Sequence, residues 1–250
     1  MTATQALSEA EILARVLHRD ALMLVIDKPA GIAVHVTGHD KIALDQSFKH
    51  LQFGLPNPPQ LAHRLDRGTS GCLVLGRHRQ ALIKLGKLFE NQKVVKTYRA
   101  ICVGVPAEAS GVIDRAILKS GVGSKWKMSL DEAGQRAVTE YRVLRTFSIE
   151  NMGAVGAPLQ LSEIEFSPKT GRTHQIRLHA ALALGCPVVG DPFYGPDDGD
   201  FSAANLPMML HAERVEIPLS HNKPPVVVSA PLPGHMVEFL KKMDAETSSA

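Results

Sequence analysis

The sequence predicts a single α+β domain with a large mixed, mostly antiparallel β-sheet that is flanked by helices. A chain of 250 residues with 44% hydrophobic content can bury one sizeable core. Segments typical of strands outnumber helical ones and follow one another in runs, without the strict alternation of parallel α/β folds. Neither GxGxxG nor GxxxxGK[ST] occurs in the chain, which argues against a dinucleotide or nucleoside-triphosphate cradle.

Residues 1–17 are predicted to form an N-terminal helical extension. Ser8 and Glu11 have capping-box spacing, and the apolar residues of 12–17 follow with helical periodicity. No apolar signal core precedes them, and no run approaches the roughly 18–20 apolar residues of a membrane span. The cysteines lie far apart in apolar segments, which is typical of buried thiols in a reducing compartment. We therefore expect a cytoplasmic protein without membrane contact.

The remaining chain, residues 18–250, is predicted to form the main domain. ALMLVIDKPAG indicates a buried strand that ends at Lys28, because Pro29 cannot continue a hydrogen-bonded ladder. We expect GIAVHV, residues 31–36, to form a second short strand. A helix is expected over residues 42–51.

The middle of the chain predicts a strand at 71–76, a helix at 79–91 with apolar residues at core spacing, and a strand at 94–103. Residues 111–147 are rich in turns and alternating segments, which indicates further strands.

The last third predicts a strand in LQLSEIEFSP and then a helix from His174, with Thr173 as N-cap and Gly185 as terminator. MMLHAERVEI and VVVSAP predict strands, and a short amphipathic helix is expected around Met236–Met243.

The segment LAHRLDRGTSGCLVLG places Asp66 between Arg64 and Arg67, in a turn that leads into a strand. One interpretation is a surface ion pair, which contributes roughly 0–1 kcal/mol. The other is a carboxylate that cationic neighbours keep ionised and directed toward a substrate. The local sequence leaves both open.

Positive charge is concentrated in residues 61–103, which hold nine Lys or Arg residues and two acidic residues. The whole chain has a net charge of only +3. A basic block within a weakly charged chain indicates a face for a polyanion, although a solvated helix face has the same composition.

A metal site is one candidate for the chemistry, and its ligands would be His63, Asp66, His174 and His179, with His211 in reserve. The histidines are scattered, no HxH or HExxH pair occurs, and an arginine lies within one to three residues of each of the first four. Cations beside a metal ion oppose its binding, so the sequence argues against a metal-dependent hydrolase.

A metal-free set of Asp66, Tyr98 and Arg177 is the other candidate. An ordinary aspartate is ionised at neutral pH and can attack a carbon centre without a base of its own. An aromatic ring stacked on a planar heterocycle contributes roughly 1–3 kcal/mol, and a guanidinium binds a carboxylate through two hydrogen bonds. Together these side chains indicate chemistry on a nucleobase.

Three segments resemble the signature segments of the RluA-type pseudouridine synthases: HRLDRGTSG (63–71), KTYRA (96–100) and GRTHQIRLH (171–179). KPAG (28–31) and GDPFYG (190–195) are similar to flanking segments of that family. The resemblance extends from about residue 18 to about residue 217, in the order and at the spacing of the family.

The resemblance implies isomerisation of specific uridines to pseudouridine in structured ribosomal or transfer RNA, without cofactor or metal. Asp66 would be the nucleophile, and Tyr98 would stack on the uracil and take part in removing the C5 proton. Arg177 would pair with Asp66, and Arg64 would fill the gap that the flipped nucleotide leaves. A non-catalytic RNA-binding or chaperone protein is the alternative.

We also expect a single catalytic domain with an RNA-binding cleft across its sheet, acting as a monomer. The segment before residue 18 is too short for the S4-like domain of many members, so target choice would depend on the catalytic domain. An excursion at 104–135 would be an RNA-contacting insertion with Lys119, Lys125, Trp126 and Lys127, although Trp126 is equally compatible with edge packing. Further contacts with substrate or RNA would come from Lys28, His63, Arg67, Lys96, Arg172 and His174. His63 and His174 could instead support the loop and the helix, and Arg67 could support the loop.

Overall fold

The computed structural model describes residues 5–36, 41–121, 127–149, 158–196, 201–202, 205–220 and 222–247, apart from the side chain of residue 247. Lys125 and Trp126 of the predicted insertion lie outside the described residues. The chain divides into two compact units. Unit 1 comprises Met1–Lys96 and His211–Pro233, and unit 2 comprises Thr97–Leu210 and Gly234–Ala250.

The described elements, in chain order, are α1 (Glu9–Leu13), β1 (Val16–Arg19), β2 (Met23–Lys28), a 3-10 helix (Leu44–Leu51), β3 (Gln60–Leu61), β4 (Ser70–Gly76), α2 (Arg79–Glu90), β5 (Val95–Val103), β6 (Ser110–Asp114), β7 (Ile117–Ser120), β8 (Lys127–Leu130), β9 (Val138–Ile149), β10 (Leu159–Pro168), α3 (Gln175–Leu178), a π-helical turn (His179–Ala183), β11 (Leu210–Ile217), β12 (Val226–Ser229) and α4 (Gly234–Thr247). No helix among the described residues is long and apolar enough to cross a membrane.

Unit 1 is built on the strand order β1-β2-β4-β11. β2 is antiparallel to both β1 and β4, whereas β4 and β11 run parallel from the pair Ser70 and His211. β3 pairs with β4 and β12 pairs with β11, both antiparallel. β4 is buried along its whole length because it has strands on both sides and α2 packs against it. Its Cys72 and Val74 share a core with Met23 and Val25 of β2 and Leu85 of α2.

Unit 2 has the antiparallel strand order β5-β10-β9-β6. β9 and β10 pair from Ile149 and Leu159 to Thr139 and Pro168. β7 and β8 form a separate antiparallel pair, and α4 packs against β9. The predicted α+β class and the mixed, mostly antiparallel pairing are confirmed.

The predicted N-terminal helix is correct in its start and wrong in its end. Ser8 and Glu11 form the capping box, but α1 ends at Leu13. Val16 instead pairs with Ile26 across β1 and β2. β-branched residues suit a strand, and pairing with the buried β2 overrides the helical periodicity.

Two further local predictions need correction. Residues 31–36 form no strand, since their described pairing is an isolated bridge between Ala33 and Ala43. The helix expected over 42–51 is present as a 3-10 helix.

The predicted N-cap Thr173 is wrong by one residue, because the cap of α3 is His174 in the left-handed conformation, at φ 56°. The side-chain oxygen Oε1 of Gln175 organises this start by accepting hydrogen bonds from Arg172 N (3.0 Å) and Thr170 Oγ1 (2.7 Å). Gly185, at φ 67°, follows the helix as predicted.

Candidate active site

Asp66 lies in the turn that leads into β4. Thr69 N donates a hydrogen bond to Asp66 O (3.1 Å), and Gly31 N donates to Arg67 O (2.9 Å). Gly71 ends the turn at φ 104°, where a side chain would collide with the backbone of Ala212. The backbone around Asp66 is therefore fixed from both sides, while its side chain stays partly exposed.

Lys28, at the end of β2, is fully buried beneath this turn. Its ammonium donates hydrogen bonds to three carbonyl oxygens, those of Pro29 (2.9 Å), Arg67 (3.0 Å) and Thr69 (2.8 Å). These use all three donors of a lysine. Burial lowers the pKa of Lys28 to about 7, and the charge of Asp66 opposes that shift.

In the structure Lys28 is fully buried and joins β2 to the turn that carries Asp66. Its contact with RNA stays a prediction. Its charge also interacts favourably with the Asp66 carboxylate.

His63 is held by contacts within unit 1. Its Nε2 accepts a hydrogen bond from Val74 N (3.0 Å), and its ring stacks on Phe89 at 4.5 Å between centroids. An amide N–H can only donate, so Nε2 carries no proton and the imidazole is neutral. Burial, together with the smaller effect of the nearby Lys96 charge, lowers the pKa of His63 to about 3. The imidazole thus fixes the segment before Arg64 to β4 and α2, and its contact with RNA stays a prediction.

The neutral state of His63 predicts an acid-dependent loss of stability. Between about pH 3 and 6.5 the unfolded chain binds a proton at His63 that the folded chain does not. The stabilising contribution is present above pH 6.5 and is lost as the pH falls toward 3. We expect His63→Gln to show a flatter pH dependence of its urea-unfolding midpoint between pH 7.5 and 4.5.

His50→Gln is the matched control for this measurement, since it removes a histidine that faces Glu9 at 3.7 Å. This partly exposed pair should matter little, so the variant should change the profile less than His63→Gln does. A His63→Gln profile that parallels that of the unmutated protein would show that the neutral imidazole does not link folding to pH.

Two of the predicted metal ligands use both ring nitrogens in other contacts. His211 binds Ser70 Oγ through Nδ1 (2.9 Å) and Ala230 O through Nε2 (3.3 Å). His179 binds Thr139 Oγ1 (2.9 Å) and Arg115 O (3.0 Å). In the part of the chain that the structure describes, no three His, Cys, Asp or Glu side chains are grouped to hold a metal ion. His179 and His211 therefore do not fit the predicted metal site.

Arg177 of α3 is buried in unit 2 and bound to a residue that the sequence did not single out. Its Nε and Nη2 donate to the two carboxylate oxygens of Asp191, each at 2.6 Å. The guanidinium lies 5.3 Å from the ring centroid of Phe193 and 5.2 Å from that of Tyr194. Asp191 Oδ1 also accepts from Phe193 N (2.9 Å) and Tyr194 N (3.2 Å), so four donors converge on one carboxylate.

Asp191 was detectable in the sequence only as a member of the family-like segment GDPFYG. The identity of its partner depends on tertiary contact. The pairing of Arg177 with Asp66 stays a prediction.

His174 adjoins this pair. Its Nδ1 forms a hydrogen bond with the Tyr194 hydroxyl (2.8 Å), and its ring centroid lies 5.6 Å from that of Phe193. Unit 2 thus brings Arg177 and His174 together around residues 191–194. Tyr98 lies on β5, where it pairs in register with Phe166 and is half-buried.

The basic block places many of its cations on the surface. Lys96 is half-buried, and burial lowers its pKa to about 8. The exposed members are Arg64, Arg79, Lys84, Lys87 and Lys93.

The chain is similar to several known proteins. The model of the family described as RNA pseudouridylate synthase matches residues 22–182. An uncharacterised RNA pseudouridine synthase of Zymomonas mobilis is 42% identical over 220 residues, which cover 88% of this chain and 94% of that protein. A ribosomal large subunit pseudouridine synthase C of Rickettsia felis is 35% identical over 80% of this chain, which spans 61% of that relative. The solved structure of human RNA pseudouridylate synthase domain containing 4 has a TM-score of 0.74 at 27% identity, covering 94% of this chain and 95% of the other.

The family match and these relatives define an enzyme that isomerises uridine to pseudouridine in RNA. The chain belongs to the RNA pseudouridylate synthase family, and within it to the RluA type. The non-catalytic and hydrolase alternatives are not favoured.

Proposed function

We propose that the RNA substrate is ribosomal and that Asp66 is the nucleophile of the isomerisation. The Asp66 turn carries this proposal, because a buried lysine and two backbone hydrogen bonds fix it while the carboxylate stays partly exposed. The relative named as a ribosomal large subunit synthase supports the choice of RNA.

The reaction needs one covalent intermediate and no change of oxidation state. The Asp66 carboxylate adds to the target nucleotide, either at the sugar carbon C1′ or at the base, and the C1′–N1 bond breaks. The uracil rotates, a bond forms between C5 and C1′, and the C5 proton is removed. N1 gains a proton and the carboxylate is released, so substrate and product are isomers.

Three other side chains complete the proposed mechanism. Tyr98 stacks on the uracil and takes part in removing the C5 proton. Arg177 orders the site by pairing with Asp66. Arg64, exposed beside the Asp66 turn, fills the space left by the flipped nucleotide, since the reacting atoms are unreachable in a stacked helix.

The exposed cations of residues 61–103 form a phosphate-binding track in this proposal. Each phosphate contact releases counterions, so binding should weaken steeply as salt increases. Arg67, Lys96, Arg172 and His174 are further proposed RNA contacts.

Tritium release tests the proposal directly. Large-subunit ribosomal RNA and transfer RNA transcripts containing [5-³H]uridine are incubated with the protein, with and without chelator. We expect release from the ribosomal RNA, unaffected by chelator, because the C5 proton leaves during isomerisation. Release from transfer RNA alone would overturn the ribosomal target, and binding without release from either RNA would support a non-catalytic protein.

Lys28→Met should slow tritium release at saturating RNA while leaving RNA affinity near that of the unmutated protein. Methionine fills a similar volume but donates no hydrogen bond, so the carbonyls of Arg67 and Thr69 lose the donor that Lys28 supplies, and Arg67 O keeps the one from Gly31 N. The Asp66 turn then loses its anchor. We expect a loss of about 10- to 100-fold, the scale of a misplaced catalytic group.

Lys41→Met is the matched control, because Lys41 is exposed in the same unit. It should keep full activity. An unchanged rate of tritium release in Lys28→Met would show that the hydrogen bonds of Lys28 do not position Asp66.

A further inference from the structure

Phe193 is a large aromatic side chain held at the surface. Its exposed fraction is 68%, the highest among the large hydrophobic side chains that the structure describes. Among the described residues from 183 to 202 it is the only exposed large hydrophobic. A single exposed ring is large enough to contact one planar group of a ligand. It is too small for a protein interface, which needs a contiguous patch of exposed residues.

The backbone that carries Phe193 is fixed. Phe193 N donates to Asp191 Oδ1 (2.9 Å), and Gly195 N donates to Asp191 O (3.1 Å), which closes the turn. The same carboxylate is bound by buried Arg177. Exposure of the ring is therefore a property of an ordered turn.

The surroundings of the ring suit a nucleobase. Cζ of Arg177 lies 5.3 Å from the Phe193 centroid, and the His174 ring lies 5.6 Å away, tilted by 33°. Arg172, two residues before His174, is half-exposed and places a positive charge on the same segment. Aromatic and planar polar groups with a nearby cation are what a base and its phosphate require.

We propose that Phe193 is a stacking platform for one unpaired base of the RNA substrate, a base other than the target uridine. The inference depends on the proposed function in that RNA is the ligand. Every base has a π face, so Phe193 can stack on any of the four bases. The contact therefore contributes to RNA affinity without selecting the RNA sequence.

Binding of a fluorescein-labelled ten-residue oligoadenylate tests this, compared with an abasic oligomer that carries the same number of phosphates. Neither oligomer contains uridine, so isomerisation plays no part. We expect the unmutated protein to prefer oligoadenylate by about 5- to 100-fold, the range of one stacked base. Phe193→Ala and Phe193→Leu should lose most of this preference, and Phe193→Trp should keep it.

Leu182→Ala is the matched control, since Leu182 is a 57% exposed apolar residue of the same unit. It should bind like the unmutated protein. If Phe193→Ala still prefers oligoadenylate to the abasic oligomer, or if Phe193→Leu keeps the full preference, Phe193 is not a stacking platform. Absence of tritium release alongside an intact Phe193-dependent preference would instead refute the proposed function alone.

Discussion

Asp66→Asn is expected to reduce the rate of tritium release from RNA by more than about 10³-fold, while RNA binding and folding persist. An amide keeps the size of the carboxylate but lacks the charge that makes it a nucleophile. The variant should keep the backbone hydrogen bonds and the Lys28 hydrogen bonds that fix the turn. Single-turnover tritium release, a filter-binding affinity and a thermal melt together check the three parts of the result.

Asp27→Asn is the matched control for this experiment. Asp27 lies beside Lys28 on β2, and its negative charge, like that of Asp66, raises the pKa of Lys28. The substitution therefore removes an equivalent negative charge nearby. It should keep most of the activity. Equal losses of tritium release in the two variants would mean that the reaction requires negative charge in this region and not a nucleophile at Asp66.

Asp191→Asn is expected to destabilise unit 2 by about 3–5 kcal/mol, the cost of leaving a buried charge without its partner. Four N–H groups converge on the carboxylate, from Arg177, Phe193 and Tyr194. An amide offers one accepting oxygen, and its NH₂ group faces donors. Urea-unfolding midpoints measure the loss, and tritium release should fall as well because Arg177 is no longer oriented.

Asp244→Asn is the matched control, because Asp244 pairs with Arg145 at 3.1 Å while both side chains are about half exposed. Such a pair contributes about 0–1 kcal/mol. If Asp191→Asn shifts the midpoint no more than Asp244→Asn does, the buried pair is not a structural requirement. Arg177→Lys should then also be tolerated, although lysine cannot donate in bidentate geometry.

Local patterns predicted the strands β2, β4, β5 and β10 and the helix α2 because periodicity and breaker residues determine those segments. The incorrect predictions for Val16 and for residues 31–36 have the same cause. Val16 joins β1 because β2 is available to pair with it, and residues 31–36 lack a strand partner beyond one bridge. Strand formation depends on a distant partner, which periodicity within one segment cannot identify.

The sequence by itself determined the reaction class, because the chemistry depends on residue types in contiguous motifs such as HRLDRGTSG and GRTHQIRLH. Only the tertiary structure decided which side chains are buried and what they bind. Lys28 reaches carbonyls 39 and 41 residues away, and Arg177 takes Asp191 from another segment. Burial and hydrogen-bond partners arise from contacts between segments far apart in the chain, and those contacts make Lys28 the anchor of the Asp66 turn.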